Sequence, residues 1–186
     1  MSKVENHMTN YVFVGTSLDG YIAGKNGDLE WLNEIPNPSK SDYGYAEFNE
    51  NIDAIVMGRN TYEAVLGFSE WPYEKPVFVL TNTIDKVPES LEDKVEIVKG
   101  DLKTLVTMLK KKGYENLYID GGNVIQSFLK EDLIDEMILT RIPILLGEGV
   151  PLFGKLESYM MFTLEKTVTY NDTLVSSHYI RSKDVI

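Results

Sequence analysis

Apolar positions along the chain cluster into short runs, separated by amphipathic stretches and by turn residues. "YVFVGTSLDGYIA" (11–23) is rich in β-branched and aromatic residues and is interrupted by Asp19-Gly20, a turn or bulge signal. "DAIVMG" (53–58), "KPVFVLTNT" (75–83), "VEIVKG" (95–100), "NLYIDGG" (116–122) and "EMILTRIPILLG" (136–147) read as further strands. Between them, helical spacing takes over. "DYGYAEFNENI" (42–52) sets Tyr45, Phe48 and Ile52 on one face, and "TYEAVLGF" (61–68) and "NVIQSFLKEDL" (123–133) also read as helices. In "DLKTLVTMLKKKG" (101–113) Asp101 stands at the cap, Leu102, Leu105, Val106 and Leu109 share a face, and lysines precede the closing glycine. Finally "MFTLEKTVTYNDTLVSSHYIRS" (161–182) alternates on both sides of Asn171-Asp172, the pattern of a long antiparallel hairpin.

Strands that alternate with helices require crossover connections and hence a mostly parallel sheet. The expected architecture is therefore α/β: a three-layer αβα sandwich whose sheet is closed by the C-terminal hairpin. No repeat or linker divides the chain, so residues 10–186 are read as one domain behind a polar N-terminal extension, residues 1–9.

Composition narrows the function. A length of 186 residues with 43% hydrophobic and 25% charged residues suits a soluble domain with a full core. No apolar run approaches the roughly 20 residues that span a bilayer, and the N-terminus lacks the apolar core of a signal peptide. The absence of cysteine fits a cytoplasmic protein. A net charge of −11 argues against non-specific nucleic-acid binding, yet local cations can still hold an anionic small molecule. No metal is expected, because the two histidines, His7 and His178, have no partner at ligand spacing.

Two segments carry candidate chemistry. In "VMGRNT" (56–61) and "LYIDGGNV" (117–124) a glycine turn follows a buried strand and opens a helix. Glycine allows close backbone approach, and a helix start offers free N–H groups to an anion. Thr61 can cap the helix or meet a phosphate oxygen, and Arg59 can pair with a further phosphate. Each turn alone could be plain punctuation. Together they suggest a dinucleotide gripped across adjacent strand ends, although neither is the GxGxxG fingerprint.

These residues carry a family resemblance. "SLDGYIAGKNGDLEWL", "MGRNTYE", "LYIDGGNVIQSFL" and "LTRIPILLGEGVPLF" occur in the order seen in the dihydrofolate reductase-like superfamily. Within it the chain most resembles the reductase domain of bacterial riboflavin biosynthesis (the RibD C-terminal domain) and its stand-alone relatives. The resemblance implies an NADPH-dependent oxidoreductase acting on a pyrimidine- or pterin-like small molecule, similar to 5-amino-6-(5-phosphoribosylamino)uracil reductase. It implies that Gly58, Arg59 and Thr61 hold cofactor phosphates, with Arg59 on the 2′-phosphate. Thr81 and Asn82 would lie at the adenosine end, and Gly121, Gly122, Asn123 and Val124 at the pyrophosphate and nicotinamide ribose. A homodimer is implied too, with 137–146 and the hairpin as its interface. Dihydrofolate reductase and a non-catalytic NADPH-binding module are the alternatives.

The substrate end is less defined. Asp42 stands 16 residues before Gly58, where the resemblance expects a ring-gripping carboxylate, and Glu47 competes with it. Ser41-Asp42 is equally an ordinary cap pair. Asp19 lies in the branch-typical "SLDG" but is also a natural turn residue. Trp31 and Tyr43 can wall a flat ring or simply pack in the core. For a phosphoribosyl group the nearby cations are Lys25, Lys40 and Arg141, which form no cluster in the sequence.

Overall fold

Successive residues of the central strand point to opposite sides of the sheet and into two different cores. Ala54 and Val56 enter one cluster, Ile55 and Met57 the other, and all four are fully buried. That is why "DAIVMG" carries no polar alternation: a strand covered on both faces must be apolar on both. The computed structural model of the chain describes residues 8–183. His7 and most of the expected N-terminal extension lie outside them, while Met8 is already buried in the core and Thr9 opens the first strand.

In chain order the strands are β1 (Thr9–Thr16), β2 (Tyr21–Ala23), β3 (Ala54–Gly58), β4 (Val77–Leu80), β5 (Val95–Val98), β6 (Asn116–Asp120), β7 (Glu136–Arg141), β8 (Val150–Pro151), β9 (Phe162–Tyr170) and β10 (Leu174–Arg181). The helices are α1 (Tyr45–Glu50), α2 (Arg59–Leu66), α3 (Leu102–Lys111) and α4 (Gly122–Lys130). The main sheet has eight strands in the order β5-β4-β3-β6-β1-β7-β10-β9. It is parallel from β5 to β7 and antiparallel from β7 to β9. Leu105 and Leu109 of α3 and Ile125 and Phe128 of α4 fill the core on one face. Phe48 of α1 and Tyr62 of α2 fill the other. The architecture is thus the expected αβα sandwich closed by a hairpin, whose turn residues Asn171 and Asp172 both adopt positive φ, +50° and +52°. No helix among the described residues is long and apolar enough to cross a membrane.

The stretch 11–23 breaks into two strands around the expected Asp19-Gly20 turn, where Ser17 folds back onto Tyr21 and β2 leaves the main sheet to pair with β8. Two element boundaries differ from the sequence expectation. The strand from Glu136 stops at Arg141, since Pro143 has no N–H to continue the ladder. Helix α1 begins at Tyr45 instead of Asp42, because Tyr43 and Gly44 take left-handed conformations, φ +56° and +87°.

Candidate functional site

At the carboxyl ends of β3 and β6 the chain turns directly into α2 and α4, with no intervening loop at Gly58 and with Gly121 alone between β6 and α4. These two strands are neighbours, so the two helix starts lie side by side. They also interlock. A Cβ on Gly121, which sits at φ +89°, would fall 2.1 Å from Thr61 Oγ1, and one on Gly58 would fall 2.9 Å from Val124 Cγ2. Only glycine permits this approach at either position. Gly58, Arg59, Thr61, Gly121, Gly122, Asn123 and Val124 all line a single cleft of about 1070 Å³.

The helix ends differ according to where they point. Asp101 caps α3 by accepting from Thr104 N at 2.9 Å, and Asp42, two residues before the Gly44 N-cap of α1, accepts from Ala46 N at 2.8 Å and Gly44 N at 3.0 Å. Neither α2 nor α4, whose starts line the cleft, has a side-chain cap. Thr61 is therefore not the cap of α2; it is the third helical residue. Uncapped N–H groups at the positive ends of two adjacent helix dipoles form a ready anion cradle.

Arg59 extends along the cleft toward β4, where its Nη1 donates to Thr83 Oγ1 at 3.2 Å. Thr83 is held in turn by Thr81, which is buried and accepts from Thr83 N at 3.2 Å. Thr81, Asn82 and Thr83 all lie outside the cleft lining, and Thr83 is reached from it by Arg59. Thr81 acts behind Thr83, a hydroxyl that the sequence reading did not single out.

The other end of the cleft holds an acid the sequence reading also passed over. Asp120, the last residue of β6, lines the cleft and accepts a hydrogen bond from Tyr73 Oη at 3.1 Å. Tyr118, two residues back on the same face, donates its hydroxyl to the Phe13 carbonyl at 3.0 Å. Burial pushes the Asp120 carboxyl above the usual carboxylate range, against the hydrogen bonds from Tyr73 and the Gly121 backbone that lower it. Burial also raises Tyr73, Tyr118 and Tyr45, with the Asp120 charge adding to the shift, so all three keep their protons at neutral pH. An acid closing a parallel strand just before Gly-Gly is a position where ligands gather, and that was the available signal. Tyr73 comes from the loop between α2 and β4 and had none.

The remaining candidates lie elsewhere. Asp42 is exposed, and its hydrogen bonds from the Ala46 and Gly44 N–H groups lower its pKa. Glu47 and Tyr43 line a separate cavity of about 280 Å³ between α1 and the β1–β7–β10–β9 face, where Tyr43 meets Tyr170 edge-on at 5.6 Å. Asp19 ties two loops together, accepting from Ser17 Oγ at 2.6 Å, Gly147 N at 2.7 Å and Leu146 N at 3.2 Å. The Ser17 hydrogen bond leads the lowering of its pKa. Trp31 is buried against Ile142 and Leu174 and does not line the cleft. Lys25 pairs with Glu148 at 3.1 Å, and Lys40 and Arg141 are exposed and outside the cleft lining.

An eight-stranded mixed sheet between helical layers, with two glycine turns facing one cleft, defines a dihydrofolate reductase-like αβα protein. Within that class, the family model of the RibD C-terminal domain matches residues 10–176, and the chain belongs to that family of RibD-like reductases. A putative riboflavin biosynthesis protein from Shewanella sp. PV-4 has a solved structure that superposes with a TM-score of 0.91 at 55% identity, covering 95% of this chain and 100% of that one. The uncharacterized protein YwjB of Bacillus subtilis (strain 168) is 34% identical over 175 residues, 92% of this chain and 97% of its own length. The fold is shared with dihydrofolate reductase from Enterococcus faecalis, solved as a complex with NADP(H), at a TM-score of 0.66 and 21% identity over 94% of this chain and 97% of that one.

Proposed function

We propose that the chain is an NADPH-dependent reductase of a small heterocyclic substrate. The observation that carries this reading is the pair of uncapped, interlocked helix starts at adjacent strand ends, with Arg59 and Thr83 beside them. The residues fit the cofactor. The glycine turns let the starts of α2 and α4 pack side by side, and the N–H groups of the two helices suit a pyrophosphate. Arg59, half exposed and reaching Thr83, is the cation for the 2′-phosphate that distinguishes NADPH from NADH.

Bound NADPH supplies a hydride. Reduction of a C=N bond or of an opened sugar then needs a proton at the atom that gains charge. Asp120 is the acid placed to hold that proton, with Tyr73 fixing its Oδ2 and burial favouring the protonated form. Phe13 and the exposed Leu29 and Leu32 give the same cleft apolar walls. Asp42 is engaged by the Gly44 and Ala46 N–H groups, and Glu47 lines the separate smaller cavity, so neither of the carboxylates expected from the dihydrofolate reductase alternative lines this cleft.

The test is a pair of titrations with NADPH and NADH. Arg59→Ala should weaken NADPH binding by about 10- to 100-fold, the loss expected for a hydrogen bond to a charged group, and leave NADH nearly unchanged. Equal losses for both nucleotides would remove Arg59 from the 2′-phosphate, and no binding of either would overturn the reading.

A further inference from the structure

The charged side chains lining the cleft, among the described residues, are Arg59, Glu63 and Asp120. Asp120 closes β6, whereas Arg59 and Glu63 share α2 and stand one helical turn apart. The cation that would meet a phosphate is therefore set against an acid, and anion binding alone gives that acid no task.

The two groups are held loosely. Arg59 Nε lies 3.9 Å from Glu63 Oε2, too far for a hydrogen bond, and both side chains are about half exposed, 47% and 54%. A pair of this kind contributes little to stability, and arginine before glutamate is the weaker order along a helix. Arg59 Nη1 is engaged by Thr83 at 3.2 Å, which leaves Nε and Nη2 as the fork for a phosphate. Glu63 faces the Nε side of that fork. A 2′-phosphate that takes it comes to rest beside a carboxylate of its own sign.

A free 2′-hydroxyl meets the opposite situation. It is a donor, and a carboxylate is the acceptor that recognises it, whereas an arginine accommodates the phosphate in its place. This cleft carries both groups on a single turn of α2. We infer that Glu63 is a specificity-determining residue for the cofactor: it accepts from the ribose 2′-hydroxyl of NADH, opposes the 2′-phosphate of NADPH, and so narrows the preference that Arg59 creates. The inference rests on the reductase reading for its nucleotide and on the Arg59–Glu63 geometry for its direction.

Titrations of the full chain with NADPH and NADH, for wild type, Glu63→Gln and Glu63→Asp, provide the test. Glu63→Gln keeps the size of an exposed side chain and removes its charge. It should tighten NADPH binding about three- to tenfold and weaken NADH binding about twofold or more. Glu63→Asp keeps the charge, and its preference between the two nucleotides should stay within about twofold of wild type. The NADPH gain of Glu63→Gln should shrink as sodium chloride is added, a response that altered helix packing would not show. Unchanged preference in Glu63→Gln, or a gain indifferent to salt, overturns the inference. Weaker NADPH binding by Glu63→Gln also overturns it, since Glu63 would then merely hold Arg59 in place. In each of these cases nucleotide binding by wild type leaves the reductase reading standing, and binding of neither nucleotide by wild type overturns both.

Discussion

Asp120 is ionised at a cost in the folded protein, because burial opposes the charge more than the Tyr73 and Gly121 hydrogen bonds favour it. Its folded pKa lies above the value of about 3.9 for an unfolded chain, so the folded state binds the proton more tightly. The favourable contribution is complete below the unfolded value and is lost as pH rises through the folded one. Asp120→Asn, neutral throughout and still able to accept from Tyr73, should therefore melt above wild type at pH 7.5. Each 1 kcal/mol gained corresponds to roughly 2–4 °C in a domain of this size. The gap should close toward pH 4 in a thermal-melt series; a gap constant with pH would assign the effect to packing. At this scale the sequence was legible only in part. The glycines announced themselves because their conformational demand is local. The acids did not: Asp42 and Asp120 are both aspartates near an element end, and only the fold shows one spent on the Gly44 and Ala46 N–H groups and the other facing a cleft. Tyr73 is 47 residues from Asp120 in the chain, and nothing near it marks the contact.

Helix starts divide by task, and that division is testable. Asp101→Ala removes the α3 cap and should cost about 1 kcal/mol of stability while leaving NADPH binding intact, since α3 lies outside the cleft lining. Gly121→Ala should do more. It forces a Cβ onto Thr61 at positive φ, with strain on the order of 1–3 kcal/mol, and it pushes α2 and α4 apart where they form the anion cradle. Denaturant melts and NADPH titrations of the two variants should thus separate: stability lost in both, affinity lost only in Gly121→Ala. Equal affinity losses would deny the interlock a role in binding. Elements themselves were readable from apolar runs and punctuation, with errors where one residue overrode the pattern. Pro143 ended β7 early, and left-handed Tyr43 and Gly44 delayed α1. Tyr170 explains the latter, since a Cβ on Gly44 would fall 2.8 Å from its hydroxyl. Such a demand, set by a strand 126 residues away, leaves no trace in the local sequence.

At the scale of the molecule, two opposing fields act on an anionic cofactor. The chain as a whole carries −11 and repels NADPH at long range, while Arg59 and two helix ends attract it at contact. Strand order, which the sequence pattern could not supply, is what gathers those attractive groups: β3 and β6, far apart in the chain, become neighbours only in the sheet. Salt screens both fields over a Debye length of about 8 Å at physiological ionic strength. In wild type the two changes oppose each other, so NADPH affinity should vary weakly with salt. Arg59→Ala deletes a contact attraction and leaves the long-range repulsion, so its weakened NADPH affinity should rise as salt is added. Binding isotherms for both proteins across a sodium chloride series measure this directly. If the two proteins respond to salt in parallel, Arg59 does not meet the charge of the ligand, and the acidic surface alone governs its approach.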